Sequence, residues 1–182
     1  MVDNSGSAAL ASQHGAVAAD SGPQGAAPII GRPVPYFALS NQFGEIVDPA
    51  RMVEHSYFLV FYPFAFSGVC SSELAQLETV AAEFGSRGVG IYGVSVDHKY
   101  ALRAYAQQMS LSFGLLADFW PHGAVSKSFG CFDEQRGMST RSTFLVSKGR
   151  VTAHFSTPTH QARELADYRL AIDGLGGGHS ID

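Results

Sequence analysis

The chain has 182 residues, is 46% hydrophobic and 12% aromatic, and carries a net charge of -4. That is enough apolar material for one globular domain with a sizeable core, and not for two. Acids and bases are interspersed without a basic face, which argues against a dedicated nucleic-acid binder, and no apolar run reaches the roughly 18 residues that span a membrane.

Residues 1 to 27 are mostly Ala, Gly, Ser, Asp and Gln without periodicity, and read as a disordered tail. They hold no Lys or Arg and no apolar core, so a secretory signal is not expected. The folded domain is expected over 28–175, with a flexible end over 176–182. Pro33 and Pro35 keep the entry extended. "YFALSNQFGEIVD" reads as a short hairpin turning at Asn41-Gln42 or Gly44. "YFLVFYP" is apolar on both faces, as a central parallel strand is.

"GVCSSELAQLETVAAEFGSRG" is the clearest helix, with Cys70, Leu74, Leu77, Ala81 and Phe84 in one stripe and Gly85 and Gly88 to end it. "VGIYGVSVD" reads as a second buried strand, "HKYALRAYAQQM" as a helix and "FGLLAD" as a short strand. "PHGAVSKSFG" reads as a short helix opened by Pro121. "STRSTFLVSKGRVTAHF" reads as two strands joined at Lys148-Gly149, and "HQARELADYRLAIDGL" as a last helix with Leu165, Tyr168 and Ile172 on one side. The order is that of an α/β sandwich with a mixed sheet.

Two cysteines, Cys70 and Cys131, lie 61 residues apart. There is no disulfide scaffold, no CxxC and no HExxH, so a thioredoxin dithiol and a zinc site are both disfavoured and no metal is expected. This usage fits a reducing, cytoplasmic setting. Cys70 falls in the first turn of the clearest helix, where free N–H groups and the positive end of the dipole favour an anion. It also lies on the apolar stripe, and a small buried residue is the competing reading. Ser67 precedes the helix and is placed to cap it. Pro63 ends the strand and blocks a ladder bond there.

The spacing Pro63-x-x-x-Ser67-x-x-Cys70 resembles the active-site signature of the peroxiredoxins, Pro-x-x-x-Thr/Ser-x-x-Cys, and Glu73 matches a frequent extension of it. "FYPFAFSGVC" together with "LLADFWPHGAVSKSFGCFDEQRGMSTRSTFLV" is similar to the one-cysteine alkyl hydroperoxide reductase E branch, with its FPxAFTGxC and DFWPHG segments. The resemblance implies a thioredoxin-like fold and reduction of hydroperoxides, hydrogen peroxide and organic ones alike, through a cysteine sulfenic acid. It makes Cys70 the nucleophile and Arg141 of "RSTF" a donor to thiolate and peroxide, where the residue without that motif reads rather as a surface strand residue in a salt bridge. It gives Glu73 the task of orienting the arginine, beside its plain reading as a first-turn acid.

Cys131 reads as a small apolar residue on a short strand, with a resolving cysteine as the competing reading. With one working cysteine, an external thiol or a redoxin completes the cycle. No cofactor is implied. A homodimer or a larger ring is implied, and the aromatics of "FWPHG" are a candidate surface for it. The scaffold diverted to another thiol-dependent biosynthetic step, a redox sensor or holdase, and more distantly a cysteine protease using His122, His154 or His160, are the alternatives.

Ionisation alone does little for such chemistry. Lowering a thiol from about 8.5 to about 6 raises its thiolate fraction at pH 7 about 30-fold. Thiol nucleophilicity falls with basicity, and over that interval the loss is about 10- to 20-fold. The remainder of a fast rate has to come from positioned donors.

Overall fold

The computed structural model describes residues 29–176. The tail read over 1–27 lies outside the described residues, as does the C-terminal end except for Gly176, which closes the last helix.

The elements in chain order are β1 (Leu39–Asn41), β2 (Ile46–Val47), a 3-10 turn (Pro49–Arg51), β3 (Ser56–Phe61), α1 (Gly68–Ser86), β4 (Val89–Ser95), α2 (Lys99–Met109), β5 (Gly114–Ala117), α3 (Ala124–Ser128), β6 (Phe132–Asp133), β7 (Met138–Ser139), β8 (Arg141–Ser147), β9 (Arg150–Thr157) and α4 (Leu165–Gly176). Seven strands form one mixed sheet in the order β2-β1-β5-β4-β3-β8-β9, and β6 and β7 make a separate small hairpin. The pairs β3–β4 and β4–β5 are parallel, whereas β8 runs antiparallel to β3.

The central strand β3 is buried on both faces, as its unbroken apolar run requires. Its side chains alternate between two cores. Phe58, Val60 and Tyr62 join the cluster built with α1, α2 and α4, whereas Tyr57, Leu59 and Phe61 join the cluster under α3. The two clusters therefore lie on opposite faces of the sheet.

Several expectations need correction. Gly85 sits inside α1, and the chain turns at Arg87 and Gly88, the latter at φ 75. The stripe of α1 is buried at Cys70, Leu74, Leu77 and Phe84 and wider than read, since Glu73 and Val80 are buried too, while Ala81 is half-buried. Pro121 does not open α3, which starts at Ala124 after Gly123. The buried Asp118 carboxylate does the capping, accepting the backbone N–H groups of Val125 and Ser126 at 3.0 and 2.8 Å. The final helix begins at Leu165, so 160–164 is loop. The hairpin β6–β7 leaves no periodic pattern in the sequence, because each strand has only two residues. The Lys148-Gly149 turn has φ 49 and 69, the pair of positive values that a two-residue hairpin needs. No helix among the described residues is long and apolar enough to cross a membrane.

Gly93 in β4 shows how tightly the first face is filled. A Cβ there would stand 2.7 Å from Leu115 Cδ2 and 3.1 Å from Tyr62 Cε1. Gly93→Ala is expected to cost about 1–3 kcal/mol in a urea titration through overpacking. An unchanged midpoint would show that the ring of Tyr62 yields freely.

Candidate active site

The sheet topology brings together residues 71 positions apart. Strand β3 ends at Phe61 and feeds α1 after a short loop. Strand β8, antiparallel to it, pairs Ser142 with Phe61, so Arg141 enters the sheet where β3 leaves it. Cys70 is the third residue of α1 and is fully buried. Arg141 Nη2 donates to Cys70 Sγ at 3.1 Å.

Arg141 is itself fixed at its other nitrogens. Its Nε donates to the Thr159 carbonyl at 2.7 Å, and its Nη1 donates to Glu73 Oε2 at 2.8 Å. Glu73 is buried with 1% of its side chain exposed. It also accepts from Arg163, which meets it fork to fork: Nε to Oε1 and Nη2 to Oε2, both at 2.7 Å. The backbone N–H of Arg163 adds a bond to Oε1 at 2.9 Å. With Arg141 included, the carboxylate accepts four bonds and is saturated. Burial alone pushes the Glu73 carboxyl up, but the hydrogen bonds and charge of Arg163, with Arg141 behind them, hold it below its ordinary value.

The charges of this cluster do not cancel. Two buried guanidinium groups face one buried carboxylate, and the remaining positive charge points at sulfur. A thiolate at Cys70 completes neutrality, where a thiol leaves one buried cation short of a partner.

Arg163 was not singled out in the sequence. It stands in "HQAREL", a stretch that reads as an ordinary charged helix start, and nothing local marks it as buried. Its Nη1 donates to the Phe61 carbonyl at 2.9 Å and to Thr143 Oγ1 at 3.0 Å.

Ser67 occupies the cap position of α1, but its side chain makes no cap hydrogen bond, contrary to the expectation. It is half-buried, and its carbonyl accepts the Ser71 N–H at 2.9 Å. Pro63 is buried in the loop before α1, one residue after Tyr62 N–H makes the last bond of that edge, to the Val94 carbonyl at 3.0 Å. The loop is tied across to the other side by Asp97, which accepts the Ala65 N–H at 2.8 Å. Phe66 sits in the left-handed region at φ 64, its ring 4.9 Å from that of Tyr105. Tyr105 in turn donates to Ser71 Oγ at 3.1 Å, holding the first turn of α1 to α2.

Cys131 lies elsewhere. It precedes β6 rather than lying on a strand, and is buried in the cluster under α3 with Val125, Phe129, Phe61 and Phe144. Cys70 belongs to the cluster on the opposite face. Burial pushes the Cys131 thiol well up from its ordinary value, and the Asp118 carboxylate adds to this. Both cysteines are free. Among the described residues, no group of three or more His, Cys, Asp or Glu is arranged to hold a metal ion.

Removing the Glu73 charge strands two buried cations. Glu73→Gln is expected to lower stability by about 3–5 kcal/mol in urea. Because the folded-state value of Glu73 is depressed, its contribution is complete above the ordinary glutamate value of about 4.3 and is lost as pH falls through the folded one. The urea midpoint of the wild type should therefore fall more steeply on acidification below about pH 4.5 than that of the variant. Parallel acid slopes would refute the charge assignment.

Comparisons with known proteins point to one family. The model of the AhpC/TSA family matches residues 30–154. Alkyl hydroperoxide reductase E of Mycobacterium tuberculosis is 35% identical over 147 residues, which cover 80% of this chain and 95% of that protein. Alkyl hydroperoxide reductase C of Bacillus subtilis is 30% identical over 125 residues, covering 65% and 66%. Among solved structures, Enterococcus faecalis AhpC superposes with a TM-score of 0.76 at 23% identity, over 85% of this chain and 98% of that one. The reduced 2-Cys peroxiredoxin of Plasmodium vivax gives 0.74 at 23% identity, over 82% and 83%. The fold is thus the thioredoxin-like one of these neighbours, a mixed central sheet flanked by helices. On the family match and the shared sequence together, the chain belongs to the AhpC/TSA family and is a peroxiredoxin.

Proposed function

We propose that the protein is a thiol-dependent peroxidase that reduces hydrogen peroxide and organic hydroperoxides at Cys70. The observation that carries this reading is the 3.1 Å contact from Arg141 to the sulfur, backed by a buried cluster one negative charge short of neutrality. The Cys70 thiolate attacks the terminal oxygen of the hydroperoxide. The S–O bond forms as the O–O bond breaks, sulfur loses two electrons, and the departing alkoxide or hydroxide takes a proton from water. The sulfur is then a sulfenic acid.

Arg141 has two tasks in this reading. It holds the thiolate, and its guanidinium is a preformed donor near the oxygen on which charge develops. Glu73 orients Arg141, Ser67 supplies a hydroxyl at the mouth, and Pro63 shapes the loop. Phe64 and Phe66, 40% and 51% exposed, stand in that same loop and give the entrance an apolar rim suited to organic hydroperoxides.

Cys131 takes no part. A bond from it to Cys70 would have to cross the sheet. The cycle closes with an external thiol or a redoxin. One thiol condenses with the sulfenic acid and releases water, and a second returns Cys70 to the thiol with release of a disulfide. A cytoplasmic setting, where such thiols are kept reduced, belongs to this reading. So does a homodimer, through the exposed aromatics Tyr100, Phe119 and Trp120, the last 81% exposed.

Stopped-flow peroxide kinetics test the reading. Cys70→Ser is expected to abolish turnover, and Cys131→Ser to retain it. Arg141→Ala is expected to lower the second-order rate about 100-fold or more. If slower alkylation of Cys70 reproduces the whole Arg141→Ala loss across pH, the role assigned to Arg141 in the transition state fails. A Cys70–Cys131 disulfide in non-reducing mass spectrometry after one equivalent of peroxide would refute the one-cysteine cycle, and a wild type inert to every hydroperoxide would refute the function. Light scattering on Trp120→Asp should read a monomer where the wild type reads a dimer, and equal masses would exclude that surface.

A further inference from the structure

Tyr168 belongs by pattern to the apolar side of α4, and its ring is indeed core. It is fully buried, with its centroid 5.1 Å from that of Phe58, 4.9 Å from Phe155 and 6.4 Å from Phe84. Phenylalanine would serve that packing equally well. The hydroxyl is what packing does not explain.

Tyr168 Oη lies 3.1 Å from Thr143 Oγ1. Thr143 is fully buried on β8, and its Oγ1 accepts from Arg163 Nη1 at 3.0 Å. A hydroxyl has one proton and two lone pairs. Thr143 keeps one lone pair on the guanidinium, so its proton must turn away from Arg163. Tyr168 Oη either receives that proton or donates its own to the second lone pair, and both arrangements hold the Thr143 acceptor on Arg163.

The orientation of Arg163 then propagates. Nη1 is pinned between Thr143 and the Phe61 carbonyl, which sets the plane of the fork. The fork grips both oxygens of Glu73, Glu73 Oε2 takes Arg141 Nη1, and Arg141 Nη2 reaches sulfur. Each link is a directional bond between buried groups, so a change at one end is not absorbed by solvent.

We propose that Tyr168 is a positioning residue for the active site, acting through the Thr143 hydroxyl on Arg163 and so on the donor that faces Cys70. This rests on Cys70 as the peroxide-reducing sulfur. It adds α4 to the elements that set the rate, and makes the hydroxyl of Tyr168 its point of contact.

The test is Tyr168→Phe in the full chain, with two readouts: the second-order rate with hydrogen peroxide, and the rate of iodoacetamide alkylation at Cys70 localised by mass spectrometry. The peroxide rate is expected to fall about three- to tenfold, the equivalent of one neutral hydrogen bond, and the alkylation rate to fall with it. Thr143→Val should reproduce the loss, and Thr143→Ser, which keeps the hydroxyl, should restore most of the rate. In an Arg163→Lys background, Tyr168→Phe should change the rate less than about twofold, because the fork it positions is gone.

Wild-type rates in both Tyr168→Phe and Thr143→Val would overturn the proposal. So would a loss that multiplies in full on Arg163→Lys, since a packing effect is independent of the guanidinium. A wild type inert to peroxide whose alkylation still slows in Tyr168→Phe would leave the positioning role standing and remove the peroxidase reading instead.

Discussion

The Glu73 carboxylate is the joint on which the site is built. It is the one anion between two buried arginines, and each of its lone pairs is taken. Burying three charged groups is unfavourable unless their geometry is complete. Completion comes from three separate regions: the second turn of α1 supplies the carboxylate, the start of β8 supplies Arg141, and the segment before α4 supplies Arg163. None of these is a local structure, so the site exists only when the sheet and both helices are in register.

The two cysteines show how environment divides residues of one type. Both are buried and both are free. Cys70 has a guanidinium at 3.1 Å and the N-terminal turn of a helix around it. Cys131 has aromatic and aliphatic neighbours, with a carboxylate as the nearby charge that acts against ionisation. The first setting offers the sulfur a charged hydrogen-bond donor, and the second opposes an anion. Exposure alone does not separate them.

Much of the fold was legible because its signals are local. The apolar run of β3, the helical spacing after Cys70 and the Lys148-Gly149 turn all placed their elements to within a few residues. The spacing of Pro63, Ser67 and Cys70 points to the turn of α1 that the Arg141 guanidinium meets. What stayed hidden was of two kinds. Ser67 and Pro121 are residue types that favour helix starts, yet neither acts as one: the Asp118 carboxylate caps α3, and the Ser67 side chain leaves the backbone uncapped. Arg163 is of the second kind. A charge following "HQA" reads as surface, and its burial follows only from where β9 and α4 direct the chain. Tyr168 was read as core, which is correct for its ring and silent about its oxygen.

The span matched by the family model stops at residue 154, whereas Thr159 and Arg163, which grip Arg141 and Glu73, come later. The chain is made from its N-terminus, so Glu73 and Arg141 leave the ribosome before the residues that satisfy them. A nascent polypeptide halted between Arg141 and Arg163 has its sulfur, its carboxylate and one guanidinium, yet lacks the second cation that locks them. A premature stop in that interval thus leaves the motif around the sulfur intact and removes the guanidinium that grips Glu73.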